Sequence, residues 1–286
     1  MTTLLDLTKR IANRYGGLRF HDGTATGGST STIVDPSLLP PDDFLKGSFA
    51  YVYSADDASP EGETRRITDY AVDTGTLTCA PVFTAAVAAG DGYFVSEMPR
   101  SKILYAIQSA IRKAGEKWLV ESVDDTTLVI VADTYEYDLP TDLVQPLDVF
   151  YRTDDEAPYR HLRGGDWGVQ GEIGSQTITL YDISDYDAGD ILRLVYLRRP
   201  TMLEDDDDEL DVGAPNLDEL EGFIESWALY YMHDQGANDA RQAAVFRAHL
   251  TKRDEHLKEA MYALERAPRR HRVGRIHTSP RPRMRG

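Results

Sequence analysis

Helix-period and strand-period patterning take turns along this chain, and that interleaving limits the folds open to it more than any other feature. Thr3 with Asp6 three positions on reads as an N-cap, and Leu4, Leu7 and Ile11 follow at helical spacing before the Gly16-Gly17 pair ends the stretch. From Gly23 the composition shifts abruptly to Ser, Thr and Gly. Short β-rich runs over 24–34, 49–53, 65–70, 75–79 and 92–96 are separated by Gly, Pro, Asp and Ser, with turn signals at Asp22-Gly23, Gly90-Asp91 and Asp91-Gly92. Pro99 then opens a second helical pattern, with Ile103, Leu104, Ile107, Ile111 and Ala114 in phase and Gly115 as its stop.

The same alternation repeats in the second half. Runs over 127–131, 134–138, 149–152, 177–181 and 191–196 read as strands, and period-two alternation in 177–180 and 192–196 predicts one buried face for each. An acidic loop over 203–212 follows. Asn216 or Asp218 can cap a helix carrying Leu217, Leu220, Ile224, Trp227, Ala228 and Tyr231, with Gly236 as its stop. Asn238 can cap a final helix with Ala244, Val245, Ala248, Leu257, Met261 and Leu264 on one side, and the short connection makes the two an antiparallel pair. No fixed period repeats, so a solenoid is not supported.

These blocks predict an α+β protein with a helical-bundle core and two inserted β-rich modules. The core draws on residues 1–19 and 98–122 and on the acidic loop and C-terminal helical hairpin at 204–266. The β modules occupy 20–97 and 123–203, and an extended basic arm occupies 267–286.

That arm carries seven arginines, Arg269, Arg270, Arg272, Arg275, Arg281, Arg283 and Arg285, with no lysine or acid, on a chain of formal net charge −17. Removing the +7 of the arm leaves −24 on residues 1–266. Pro268, Pro280 and Pro282 prevent a regular helix, and the composition cannot bury a core of its own. Arginine presents a planar fork of donors to carboxylates, phosphates or exposed carbonyls, so the arm suits docking on another protein or contact with nucleic acid. The acidic body argues against a broad grip on a phosphate backbone, which needs clustered Lys and Arg.

One cysteine, Cys79, leaves no intramolecular disulfide framework and no cysteine-based zinc cluster, which suits assembly in a reducing cytoplasm. No run approaches the roughly 18 apolar residues of a membrane helix, and the opening MTTLLDLTKR lacks the basic region of a signal peptide. No membrane association is expected.

The signatures of nucleotide, metal and acyl chemistry are missing: there is no GxxxxGK[ST], no GxGxxG after a strand, no HExxH and no GxSxG. His249 and His256 can share a helix face but stand two turns apart, too far for one metal without a third ligand between them. The acidic run 204–209 lacks the central glycine and spaced ligands of an EF-hand loop. Glu219, Glu221 and Glu225 lie on a helix where charge ordinarily faces water, and Trp118, Trp167 and Trp227 suit core or interface anchoring. No catalytic residue, cofactor or metal site is expected.

The combination of 133–140 (DTYEYDLP), the strand 192–196, the acidic loop and Trp227-Ala228-Leu229-Tyr230-Tyr231 in a helix resembles tailed-bacteriophage head-to-tail connector proteins, the adaptors of the neck. The resemblance covers residues 100–265. Residues 22–28, 65–70 and 75–78 are similar to a β module that recurs in phage virion proteins. The family resemblance implies a non-enzymatic virion protein at the portal vertex, between capsid and tail. It implies a dodecameric ring beneath the portal, a central channel for passage of double-stranded DNA, and a C-terminal segment docking on the portal. Portal protein and tail or neck proteins are the implied partners, and the arm's seven arginines match the docking segment by position. The alternatives are a tail-tube or neck-completion protein, a nucleic-acid-binding packaging accessory, and a virion-associated peptidoglycan hydrolase.

Overall fold

The structure is a computed structural model and describes residues 2–56, 60–154, 156–162, 166–181, 186–210, 217–239 and 243–266. Two compact units emerge. The first combines Met1–Ala114, Thr201–Val212 and Asp218–Arg266, and the second is built around Gly115–Pro200.

The first unit opens with α1 (Leu4–Gly16), and its cap is the predicted one. The Asp6 amide donates to Thr3 Oγ1 at 3.2 Å, and the Thr3 amide donates to the Asp6 carboxylate at 3.3 Å. This reciprocal pair satisfies two amides that the first helical turn leaves without partners. Leu4, Leu7 and Ile11 are fully buried, as their spacing requires.

Seven antiparallel strands follow: β1 (His21–Thr24), β2 (Gly27–Gly28), β3 (Thr32–Val34), β4 (Phe49–Ser54), β5 (Thr64–Ala71), β6 (Thr76–Ala80) and β7 (Gly92–Ser96). They form one sheet in the order β1-β7-β4-β5-β6-β3-β2. The first and last strands in that order are successive halves of one segment, 21–28, so the sheet curls until its two ends meet across Ala25 and Thr26. The Ala25 amide donates to Asp91 O on one side and the Thr26 amide to Val34 O on the other. Closure of this kind leaves few free strand edges. Ile33, Val52, Ile67, Tyr70, Leu77, Tyr93 and Val95 fill the interior, with Cys79 among them. Burial pushes the Cys79 thiol up to about 12, so it is inert as a nucleophile.

Asp22-Gly23 was expected to turn the chain, yet both residues lie inside β1. Glycine is needed there for space: a Cβ on Gly23 would fall 2.6 Å from His21 Nε2 and 2.7 Å from Asp35 Oδ2. At Gly75, φ is +60° and a Cβ would lie 2.2 Å from the Asp35 carbonyl oxygen, so turn and close approach both demand glycine.

Strand β7 is buried at every position. Tyr93 and Val95 face the sheet interior, while Phe94 packs against Phe20, Tyr51 and Tyr53 on the opposite face. Helix α1 lies against β7 and against α2 (Arg100–Ala114), whose Ile103, Ile107 and Ile111 are buried.

The unit is completed by α3 (Leu217–Asp239) and α4 (Ala243–Arg266). Side-chain contacts Ser226–Glu259, Asp234–Arg253 and His233–His249 run in antiparallel order. Gly236 does not stop α3, and Asn238 lies within it instead of capping α4. A Cβ on Gly236 would lie 2.9 Å from the His249 ring and 3.0 Å from Tyr15 Oη, so this glycine serves close packing between helices.

The second unit holds β8 (Val120–Asp124), β9 (Glu136–Asp138), β10 (Leu143–Arg152), β11 (Arg160–His161), β12 (Trp167–Gln170), β13 (Thr177–Leu180) and β14 (Ile191–Arg198). Two antiparallel sheets, β11-β10-β14-β8 and β12-β13-β9, share one core of Leu143, Val149, Ile178, Leu180, Leu192, Leu194 and Tyr196. Alternation in β13 and β14 is therefore real, with every second residue turned inward. The expected strand over 127–131 is reduced to one bridge, Val129 to Ile191, although Leu128 and Ile130 still reach the core. Strand β10 begins well before the expected 149, running through Pro146 where a register shift against β14 relieves the pairing.

The helical-bundle core is overturned. Four helices stand against fourteen strands among the described residues, all strands pairing antiparallel in three sheets. The reason lies in where apolar side chains gather: period-two residues build two self-contained sheet cores, and α1 covers a sheet face while packing on α2. The α+β class stands without the bundle. The arm at 267–286 lies outside the described residues.

Candidate interaction surface

The acidic loop at 204–209 is held by the start of α1. The Leu5 and Leu4 amides, free at a helix N-terminus, donate to Asp206 O and Asp208 O at 3.0 and 2.9 Å. Thr3 bridges to Glu209, and the Leu210 amide donates to Thr2 O at 3.1 Å. The Asp208 carboxylate accepts the amides of Glu204 and Asp205 at 2.7 and 3.0 Å, which holds its pKa below the ordinary value.

Asp206 is clamped by two side chains. Tyr51 Oη donates to it at 2.5 Å, and Arg100 donates through Nε at 3.2 Å and through Nη2. The Arg100 guanidinium also lies 5.2 Å from the Tyr51 ring centre. Burial and the adjacent Asp206 carboxylate raise the Tyr51 pKa, so the phenol stays a donor. With Tyr53, Glu61 and Glu204–Asp207 these residues line a cleft of about 750 Å³. Glu204, Asp205, Asp207 and Glu209 are exposed and make no ion pair among the described residues.

Helix α1 grips the C-terminal pair by charge. Arg10 bonds Glu221 at 3.0 Å, and Arg14 bonds Glu225 at 3.0 Å and Glu259 at 3.2 Å. Glu221 and Glu225 are thus each joined to an arginine of a neighbouring helix.

The histidines hold a feature that sequence spacing missed. His233 of α3 enters between His249 and His256: its Nδ1 lies 3.1 Å from His249 Nδ1, and its ring stacks on His256 at 5.5 Å. His233 is 1% exposed, with Nε2 making no hydrogen bond among the described residues. Burial, then His256, His249 and Lys252, push its pKa down to about 3, so the imidazole is neutral. Its place one turn beyond the buried Leu229 was the available signal. The rings do not converge on a metal: no group of three His, Cys, Asp or Glu among the described residues could hold one.

Trp118 is buried, Trp167 packs on the second unit's core, and Trp227 stacks on Phe223 and meets Tyr230 at a tilt. No described helix is long and apolar enough to cross a membrane. The seven arginines of the arm lie outside the described residues.

Residues 83–277 match the SU10 adaptor protein family, more than half of the chain, and the chain belongs to that family. It is therefore a phage adaptor, a structural protein of the virion. No curated protein matches the chain significantly. The family match starts after β6, so β1–β6 fall outside it while β7, which pairs with β1 and β4, falls inside.

Proposed function

We propose that this adaptor joins head to tail as a ring beneath the portal, twelve copies surrounding the path of double-stranded DNA, with tail or neck proteins docking on its far side. The carrying observation is the adaptor-family match over 83–277, which takes in α4 and runs into the arginine-rich segment. Residues 267–286 are the anchor: Arg269, Arg270, Arg272, Arg275, Arg281, Arg283 and Arg285 bind acceptor groups in crevices of the portal. Each arm loses conformational freedom on binding, and a ring of arms offsets that cost through multivalency. Carboxylates on residues 1–266, net −24, repel phosphate over a Debye length of about 8–10 Å and discourage DNA from sticking in passage. The protein acts without catalysis or cofactor and is incorporated during assembly in the host cytoplasm.

The test compares the full chain with a truncation after Arg266, each mixed with the cognate portal, by native mass measurement. A ring that forms on the portal only with residues 267–286 supports the reading. If neither form associates and the full chain instead binds DNA with steep salt dependence, the packaging-accessory reading replaces it.

A further inference from the structure

We propose that the outer face of the β11-β10-β14-β8 sheet is a carboxylate-binding surface, and that its occupant is the 204–209 loop of a second copy of this chain. The proposal rests on the ring reading above and names its contact.

In β14, Leu192, Leu194 and Tyr196 point into the core, so Arg193 stands on the other face, opposite Phe150 in the register with β10. Arg152 shares that face two residues on. Tyr159, just ahead of β11, brings its ring to both: the Arg152 and Arg193 guanidiniums lie 4.9 and 5.0 Å from its centre. Arg193 Nε and the Tyr159 hydroxyl are shielded from water and find no hydrogen-bond partner among the described residues. Of the carboxylates on this face, Asp148 is engaged by His161 Nε2 at 2.5 Å, whose ring meets Phe150 edge-on at 5.2 Å, and Glu121 stands on β8, the far edge strand from β11. Two guanidiniums held at one aromatic ring form a donor-rich surface for an anion, and Arg193 makes no ion pair among the described residues.

The chemistry favours carboxylate over phosphate. Every copy of the chain carries exposed carboxylates at Glu204, Asp205, Asp207 and Glu209 that make no ion pair among the described residues, so a second copy supplies the acidic partner itself. That loop is already fixed by the α1 amides and the Asp206 clamp, so seating it costs little ordering entropy. Because the basic surface and the acidic loop are different patches of one chain, their pairing is head-to-tail, the kind of contact that closes into a ring when the rotation fits.

The experiment is a charge-reversal series in the full chain, read by sedimentation velocity and by ring formation on the portal. Arg193→Glu, and separately the pair Glu204→Arg and Asp207→Arg, should each weaken self-association at least tenfold, and combining them should restore most of it. Circular dichroism and hydrogen exchange check that each variant is folded. Single reversals that leave association unchanged, while the wild-type chain still forms rings, overturn this contact and leave the ring reading intact. Arg193→Glu that lowers DNA retention with unaltered assembly assigns the surface to phosphate and overturns the proposal. A wild-type chain that never self-associates, alone or on the portal, overturns both.

Discussion

The curled sheet and the C-terminal helix pair each bury an ionisable side chain, and they meet the cost in opposite ways. Asp35, 3% exposed, sits among apolar residues beside β3 and accepts from the Ser37 amide at 2.9 Å, Ser37 Oγ at 2.6 Å, Tyr93 Oη at 2.8 Å and His21 Nε2 at 3.2 Å. Burial alone would raise its pKa, yet the bonds from Ser37, Tyr93 and His21 outweigh it and the pKa falls below the ordinary 3.8. His233 receives no comparable support: other imidazoles surround it, and it is kept neutral. A saturated charge fixes its surroundings, whereas a neutral base in a cationic setting leaves a site that acid can open.

Removing the saturated charge should have the largest effect. Asp35→Ala leaves the Tyr93 hydroxyl and the Ser37 donors without their acceptor, and should destabilise the sheet by about 2–4 kcal/mol. Hydrogen exchange of β4 and β7 amides measures this. A loss below about 1 kcal/mol would mean that the network contributes little beyond its neighbours' packing.

Acid should separate the two regions next. The unfolded chain protonates His233 near 6.5 and the folded chain near 3, so between those values the unfolded state binds the extra proton. Its contribution is complete above pH 6.5 and is lost as pH falls towards 3. Asp35 contributes fully above 3.8 and loses its share only as pH drops through its lowered folded value. Glu259, lowered from 4.5 by His256 and Arg14, follows the same sense as Asp35. Exchange protection in α3 and α4 should therefore decline between pH 7 and 4.5 while β4 and β7 hold theirs. In His233→Phe most of that early decline should vanish; its persistence would put the acid response elsewhere.

The smallest effects lie within α3 and have opposite signs. Gly222 has open space where a Cβ would go, so Gly222→Ala should stabilise the helix by about 0.5–1 kcal/mol. Gly236→Ala gains the same propensity but presses on His249 and Tyr15, and should lose stability by about 1 kcal/mol. Thermal unfolding monitored by helical circular dichroism distinguishes them, and equal gains would show that the helix pair is loosely packed.

Legibility followed locality. The Thr3–Asp6 cap, the stripe of α2 and the alternation of β13 and β14 were readable because each depends on residues within a few positions of one another. The strand at 127–131 was overread, since an apolar alternation reports which side chains turn inward and says nothing of a neighbouring strand. Gly23 and Gly236 were misread as punctuation because the atoms that exclude a side chain there belong to Asp35 and to His249 and Tyr15. The charged surfaces were half visible: the acidic run was plain, but its clamp joins Tyr51, Arg100 and Asp206 from three distant segments.

By itself, then, the sequence determined the order of helical and β-rich stretches, the first helix cap, the inward sides of the regular strands, and a charge balance split between an acidic body and an arginine-only end. Only the tertiary structure decided that sheets and not a bundle hold the cores, that His233 meets His249 and His256, and that Arg152, Arg193 and Tyr159 share one face. The physical reason is that hydrogen bonding within a turn and apolar period act over a few residues. Burial, close approach and charge pairing depend on which distant segments meet, and that is settled by the free energy of the whole chain.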